Sequence, residues 1–274
     1  MKRLERDVMF PEPGKTARED TAAVMKFYKL PKAFPPAVLA EARAVAKRKT
    51  SEAELKREGR LDLRRQFIFT CDPETARDYD DALSLEKDRK GNLVLGVHIA
   101  DVAHYVKPGS ALDREAYRRG TSVYLCDRVV PMLPEELCNG VCSLVPDEDR
   151  LAFSVFLTFD KNGEVVKRSF SKSVIRSKAR VTYEQVMAVI RGKSDARIAS
   201  REAKTIRAIS ALAQQIRAKR FAAGALDIEI PEAEVILDSN GEMTGLVTRP
   251  YDESHQMIEE CMVAANEADR KSVV

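Results

Sequence analysis

The chain has 274 residues, room for one large or two ordinary domains and a sizeable core, with a formal net charge of +3 and 32% charged residues. It holds no run of about 18 apolar residues, the least a membrane-crossing helix needs, and Met1–Asp7 is not followed by the apolar stretch of a secretory signal. Cys71, Cys126, Cys138, Cys142 and Cys261 form no CxxC pair, and no histidine stands near Cys138 or Cys142; this excludes a zinc set and fits reduced, mostly buried thiols of a cytoplasmic protein.

Pro11, Pro13 and Gly14 mark an irregular start. A helix is predicted over 19–28, a break at Pro31, Pro35 and Pro36, a charged helix over 37–49, and a helical turn over 51–59 that Gly59 ends. Strands begin at Phe67-Ile68-Phe69-Thr70-Cys71, an aromatic and β-branched run of the kind found in buried strands. Ala82-Leu83-Ser84-Leu85 restarts an apolar pattern and pairs, through a turn at 88–92, with 93–99. A short helix over 112–119, a strand over 121–125 and a proline-bounded extended segment over 129–134 come next. Asp160-Lys161-Asn162-Gly163 is a strong turn joining strands over 151–159 and 164–175. Thr182 is expected to cap a helix over 183–190, a longer helix covers 196–223, and Ser254 is expected to cap a helix over 255–268. No internal repeat is visible. Strands precede helices, which predicts an α+β fold, a mixed or antiparallel β core surrounded by helices, rather than a doubly wound sheet.

Charge is unevenly distributed. Lysine and arginine dominate from Lys161 to Arg220, whereas from Asp227 to Glu267 Arg249 is the one arginine and there is no lysine. A basic stretch of this size can track a phosphate backbone; a solvated basic face on the helix over 196–223 accounts for part of it equally well.

The densest chemistry lies at Asp72, Asp78, Asp80 and Asp81, four carboxylates in ten residues between two apolar runs, with Pro73 and the polar 74–77 supplying the turn. Like charges so close resist ionisation unless a cation offsets them. Hard oxygen donors without histidine or thiolate suit magnesium, manganese or calcium better than zinc. An EF-hand is excluded, because counting from Asp78 the required glycine is Leu83 and the required glutamate is Arg89. Magnesium completes its shell with water and substrate phosphate, which points to phosphoryl chemistry. The competing reading is a solvated acidic loop with Asp72 and Asp78 as turn formers.

A run of motifs then carries a resemblance: Thr70-Cys-Asp-Pro-Glu-Thr-Ala-Arg-Asp-Tyr-Asp-Asp-Ala-Leu83, Val97-His-Ile-Ala-Asp-Val-Ala-His-Tyr-Val106, Arg119-Gly-Thr-Ser-Val-Tyr124, Pro131-Met-Leu-Pro134, Cys142-Ser-Leu144, Asp149-Arg-Leu-Ala-Phe-Ser154, Gly224-Ala-Leu226 and His255-Gln-Met-Ile-Glu-Glu260. In this order they resemble the RNB catalytic domain of ribonuclease R and ribonuclease II type exoribonucleases, nearer the former, over roughly 60–268. The resemblance implies a magnesium-dependent enzyme, with manganese the alternative metal, that degrades single-stranded RNA processively from the 3′ end to nucleoside 5′-monophosphates. It implies Asp72 and Asp81 as direct metal ligands, Asp78 as a ligand acting partly through water, and Asp80 as the residue most needed for the chemical step. Tyr124 matches a tyrosine that stacks on a base near the RNA 3′ end. Ile228 stands where the family frequently has an aromatic on the other side of that base, and Glu260 matches a glutamate that contacts ribose. His98 and His104 are expected to make structural hydrogen bonds, and Arg150 to hold either a phosphate or a neighbouring acid.

The same resemblance implies a domain plan. Residues 1–30 are expected to be the tail of a cold-shock, OB-type domain, 31–60 a helical linker, and 61–268 the first part of the RNB domain, monomeric and cytoplasmic. The family's later arginine and glutamate and its S1 domain have no match before Val274, so the chain is expected to be a C-terminally truncated fragment lacking activity of its own. The last six residues, Asp269 to Val274, spell a common sequencing adapter in one reading frame and are expected to be non-native. The alternative function is a non-catalytic RNA-binding homologue or fragment.

Overall fold

The structure is a computed structural model that describes residues 16–193, 198–226, 233–241, 243–248 and 251–272. Its elements in chain order are α1 (Ala17–Phe27), α2 (Pro36–Lys47), α3 (Glu52–Arg57), β1 (Leu61–Asp62), β2 (Phe69–Asp72), β3 (Asp81–Lys87), β4 (Leu93–Ala100), α4 (Val102–Tyr105), α5 (Ala111–Arg119), β5 (Val123–Tyr124) and β6 (Val129–Val130). A short π-helical segment, Glu136–Val141, precedes β7 (Asp149–Phe159), β8 (Val165–Arg176), β9 (Ala179–Thr182), α6 (Tyr183–Ile190), α7 (Ser200–Ala222), β10 (Ala233–Leu237), β11 (Met243–Thr248) and α8 (Glu253–Ser272).

Contacts divide the chain into two compact units: Met1–Glu41, Pro108–Pro134 and Ile230–Arg249 form one, and Ala42–Lys107, Glu135–Glu229 and Pro250–Val274 the other. In the first, Arg119 is the organising side chain. Its guanidinium lies 3.6 Å from the Phe34 ring centroid, pairs with Glu115 at 2.8 Å and donates to the carbonyls of Ala33 and Pro131. The hairpins β5–β6 and β10–β11 also belong to this unit.

The second unit is built on a seven-stranded sheet of order β1-β8-β7-β4-β3-β2-β9. Its central pairs are antiparallel, and the outer pairs β1–β8 and β2–β9 are parallel. The mixed α+β architecture expected from the sequence is therefore present. The period-2 alternation of the strands sends Leu83, Leu95, Val97, Val155 and Leu157 to one face, where they bury against Val186, Ile206, Ile209, Met257 and Cys261 of α6, α7 and α8. Capping boxes start α3 at Ser51–Glu54 and α6 at Thr182–Gln185.

At the same strand positions the alternate residues make a buried polar line across four strands. Ser84 Oγ meets His98 Nε2 at 2.9 Å, His98 Nδ1 meets Ser154 Oγ at 2.7 Å, and Ser154 Oγ meets Ser173 Oγ at 2.7 Å. Burial pushes His98 down to about 3, so the ring stays neutral and structural. His104 is structural too: Arg60 Nη2 reaches it at 3.2 Å while pairing with Asp101 at 2.6 Å.

Several sequence expectations need adjustment. Asp252, not Ser254, caps α8, its carboxylate accepting from the Ser254 N–H at 3.0 Å. The helix runs on to Ser272. Strands β1, β9, β10 and β11 were not foreseen; β1 and β9 are too short for periodicity to register. The expected strand over 121–125 pairs only at Val123 and Tyr124. Of the segment 1–30 assigned to a preceding OB-type domain, residues 1–15 lie outside the described residues and Ala17–Phe27 is helix. The five cysteines are free thiols, with Cys71, Cys142 and Cys261 buried and Cys126 exposed.

Gly96 lies under the polar line. A Cβ there would fall 2.3 Å from Ser84 Oγ and 2.9 Å from His98 Nε2. Gly96→Ala is expected to destabilise the fold by about 2 to 4 kcal/mol, through overpacking and a lost buried hydrogen bond. Urea denaturation checks this, with Ser84→Ala in the same chain reducing the penalty.

Candidate active site

Asp72 is the last residue of β2 and Asp81 the first of β3, so two of the four carboxylates stand on strand ends. The strand ladder reaches them: Asp72 is in register with Thr182 of β9, and Asp81 with Ile99 of β4. Asp80 follows from the connecting loop, its carbonyl accepting from the Ala100 N–H at 2.9 Å. The sheet thus fixes the backbone at both ends of the loop, as a site of defined geometry requires.

The electrostatics show the strain of this arrangement. Burial, and then repulsion from Asp81, pushes the Asp72 carboxyl up to about 7. Burial and Asp80 push Asp81 up to about 6. The Asp80 side chain is more open, yet the protein around it and the charge of Asp78 still raise it. Asp72 Oδ2 is buried with no hydrogen-bond partner, a deficit of about 1 to 3 kcal/mol when left unfilled.

Arg180, on β9, is a neighbour that sequence reasoning missed, because its strand is four residues long. Its Nη2 donates to the Pro73 carbonyl at 2.7 Å, its guanidinium lies 5.7 Å from the Tyr79 ring centroid, and its charge draws Asp72 partly back down. The loop is therefore gripped by a cation just after Asp72 and again between Asp78 and Asp80.

Among the described residues, no three His, Cys, Asp or Glu side chains are gathered tightly enough to enclose a metal ion by themselves. A small hard cation does not need that, since it is held through one or two carboxylates and completes its shell with water and phosphate. The oxygen-only donor set, the orphaned Asp72 oxygen and the mutual repulsion fit such an ion. A cavity of about 620 Å³ opens elsewhere, lined by Lys49, Tyr105, Glu136, Arg150 and Arg176 among others, and none of the four aspartates lines it.

The remaining candidates separate. Tyr124 is 68% exposed, so its ring lies at the surface. Ile228 lies outside the described residues. Glu260 does not present itself to a ligand: it is fully buried, and its oxygens accept from Arg220 at 2.7 and 3.0 Å and from Arg217 at 3.4 Å. In this structure it bridges α7 and α8. Its arginines, and Lys219 paired with Glu164, account for part of the basic stretch as intramolecular ion pairs. Arg150 pairs with Glu148 at 2.9 Å, which decides for the neighbouring acid.

The RNB domain matches residues 60–270 of this chain. The chain belongs to the RNB family. Ribonuclease R of Thermotoga maritima is 43% identical over 275 residues, covering 94% of this chain and 38% of that protein. Ribonuclease R of Aquifex aeolicus is 41% identical over 247 residues, covering 89% of this chain and 34% of its own length. Mycoplasma genitalium RNase R, solved in complex with ribose methylated single-stranded RNA, superposes with a TM-score of 0.85 at 31% identity, over 92% of this chain and 39% of that one. The chain spans under half the length of the relatives it matches.

Two measurements test the site's electrostatics. Asp72 has a folded value of about 7 against 3.8 for an ordinary carboxyl, so the folded state binds the extra proton, and stability is lost as pH rises through that window. In EDTA, Asp72→Asn should match the unaltered chain near pH 4 and melt progressively higher than it as pH approaches 7 and above. Glu260→Ala removes the buried carboxylate that Arg217 and Arg220 share and should cost about 3 kcal/mol in denaturant unfolding.

Proposed function

We propose that this chain carries the four-aspartate part of a 3′ to 5′ exoribonuclease site, and that the protein it belongs to hydrolyses single-stranded RNA processively to nucleoside 5′-monophosphates with magnesium, or manganese, as cofactor. The observation that carries this reading is the set Asp72, Asp78, Asp80 and Asp81 on the β2–β3 connection of a chain 43% identical to a ribonuclease R. The Mycoplasma genitalium enzyme in complex with single-stranded and with double-stranded RNA supports RNA as the substrate class.

Bound in such a site, a divalent ion lowers the pKa of the attacking water and neutralises charge on the scissile phosphate. The residues of this chain would do the rest. Asp72 and Asp81 would hold the ion, giving up the protons that their raised values retain without it. Asp78 would act through a water molecule. Asp80, more open and kept basic by its surroundings, is suited to take a proton from the attacking water. Tyr124 would stack on a base near the 3′ end, an interaction worth about 1 to 3 kcal/mol and indifferent to sequence.

The test is an incubation of 5′-labelled single-stranded RNA with the full-length protein and magnesium and, separately, with EDTA. Shortening from the 3′ end that stops in EDTA supports the enzyme; a mobility shift without cleavage supports the non-catalytic RNA-binding homologue. Asp80→Asn should keep RNA affinity and slow cleavage by about 100-fold or more, and an equal loss of both would remove Asp80 from the chemical step.

A further inference from the structure

The Cys142-Ser143-Leu144 motif has so far been given no task, yet its middle residue touches the aspartate loop more closely than any metal-site argument requires. Ser143 is fully buried and follows the π-helical segment. Its hydroxyl accepts from the Tyr79 N–H at 3.0 Å and donates to the Arg77 carbonyl at 2.9 Å. Those two groups belong to the peptides on either side of Asp78, so one hydroxyl holds the backbone before and after that carboxylate. A hydroxyl suits this position because it can donate and accept at once.

The next residue extends the grip. The Leu144 N–H donates to the Tyr79 carbonyl at 2.8 Å, in the peptide leading into Asp80. Ser143 is itself seated from the sheet: Arg150 Nε, on β7, donates to its carbonyl at 2.8 Å. Asp72 and Asp81 have strand ladders behind them; Asp78 and Asp80 precede the β3 ladder and are held by this clamp together with the Ala100 N–H on the Asp80 carbonyl.

We propose that Ser143 is a positioning residue of the metal site, fixing the backbone of Asp78, and through Leu144 that of Asp80, so that their carboxylates point at a common ion. This rests on the functional reading above. Removing it leaves every carboxylate in place but frees the segment that aims two of them.

The experiment measures Mn²⁺ affinity of the full chain by electron paramagnetic resonance, together with amide exchange of residues 73–81 and thermal unfolding in EDTA. Ser143→Ala should accelerate exchange at Tyr79 and weaken Mn²⁺ binding about 10- to 100-fold, the usual effect of losing a group that orients a ligand. Ser154→Ala removes a buried hydroxyl from the polar line instead, and should keep Mn²⁺ affinity within about twofold while lowering stability. Arg150→Gln, which frees the Ser143 carbonyl and spares the hydroxyl, should weaken Mn²⁺ in the same direction by less, and stands in if Ser143→Ala does not fold. Unchanged Mn²⁺ affinity in folded Ser143→Ala overturns the clamp and leaves the metal-dependent nuclease reading intact. If the unaltered chain binds no Mn²⁺, both are overturned.

Discussion

Mutual repulsion among Asp72, Asp78, Asp80 and Asp81 is the constraint around which the larger unit is arranged. Carboxylates left to themselves separate, because each raises the free energy of ionising the next. Here separation is opposed by over-determining the backbone: β9 and β4 flank the two strand ends, the Ala100 N–H holds the Asp80 carbonyl, Ser143 and Leu144 hold the middle, and Arg180 grips Pro73. The energy stored is modest and local, and it is what a hard cation would release on binding.

Cohesion and recognition draw on the same residue types, and the structure separates them. Arg217, Arg220 and Lys219 carry the charge expected of a phosphate-binding helix, but they are engaged by Glu260 and Glu164. Glu260 is buried without exposure, so its charge is tolerable only because two guanidinium groups reach it. Tyr124 goes the other way: an aromatic that a lone strand residue would normally bury stands exposed on a two-residue strand. Exposure of a ring costs hydrophobic free energy and leaves a flat face for a base, which is consistent with the stacking role proposed for it.

The sheet itself shows how polar residues enter a core without penalty. Ser84, His98, Ser154 and Ser173 would each be costly alone, yet joined in one line they satisfy one another, and Gly96 leaves the room they need. In the sequence these appear as unrelated small polar interruptions of apolar strands.

Much of the fold was legible beforehand, for definite reasons. The hairpins around 88–92 and 160–163 have strong turn chemistry, Thr182 offers a cap for the helix over 183–190, the helix expected over 196–223 appears as α7 over Ser200–Ala222, and the aspartate loop stands out because charge density between apolar runs has few explanations. The sequence alone therefore determined the α+β class and singled out the aspartate loop as the candidate site, with oxygen donors that suit a hard cation. Tertiary structure decided what depends on neighbours distant in the chain: that Arg180 and Ser143 hold the loop, that Glu260 is a bridge between helices, and that short β1 and β9 complete the sheet. Local pattern encodes the preference of a segment, whereas burial, pairing and pKa depend on which segments the fold brings alongside it.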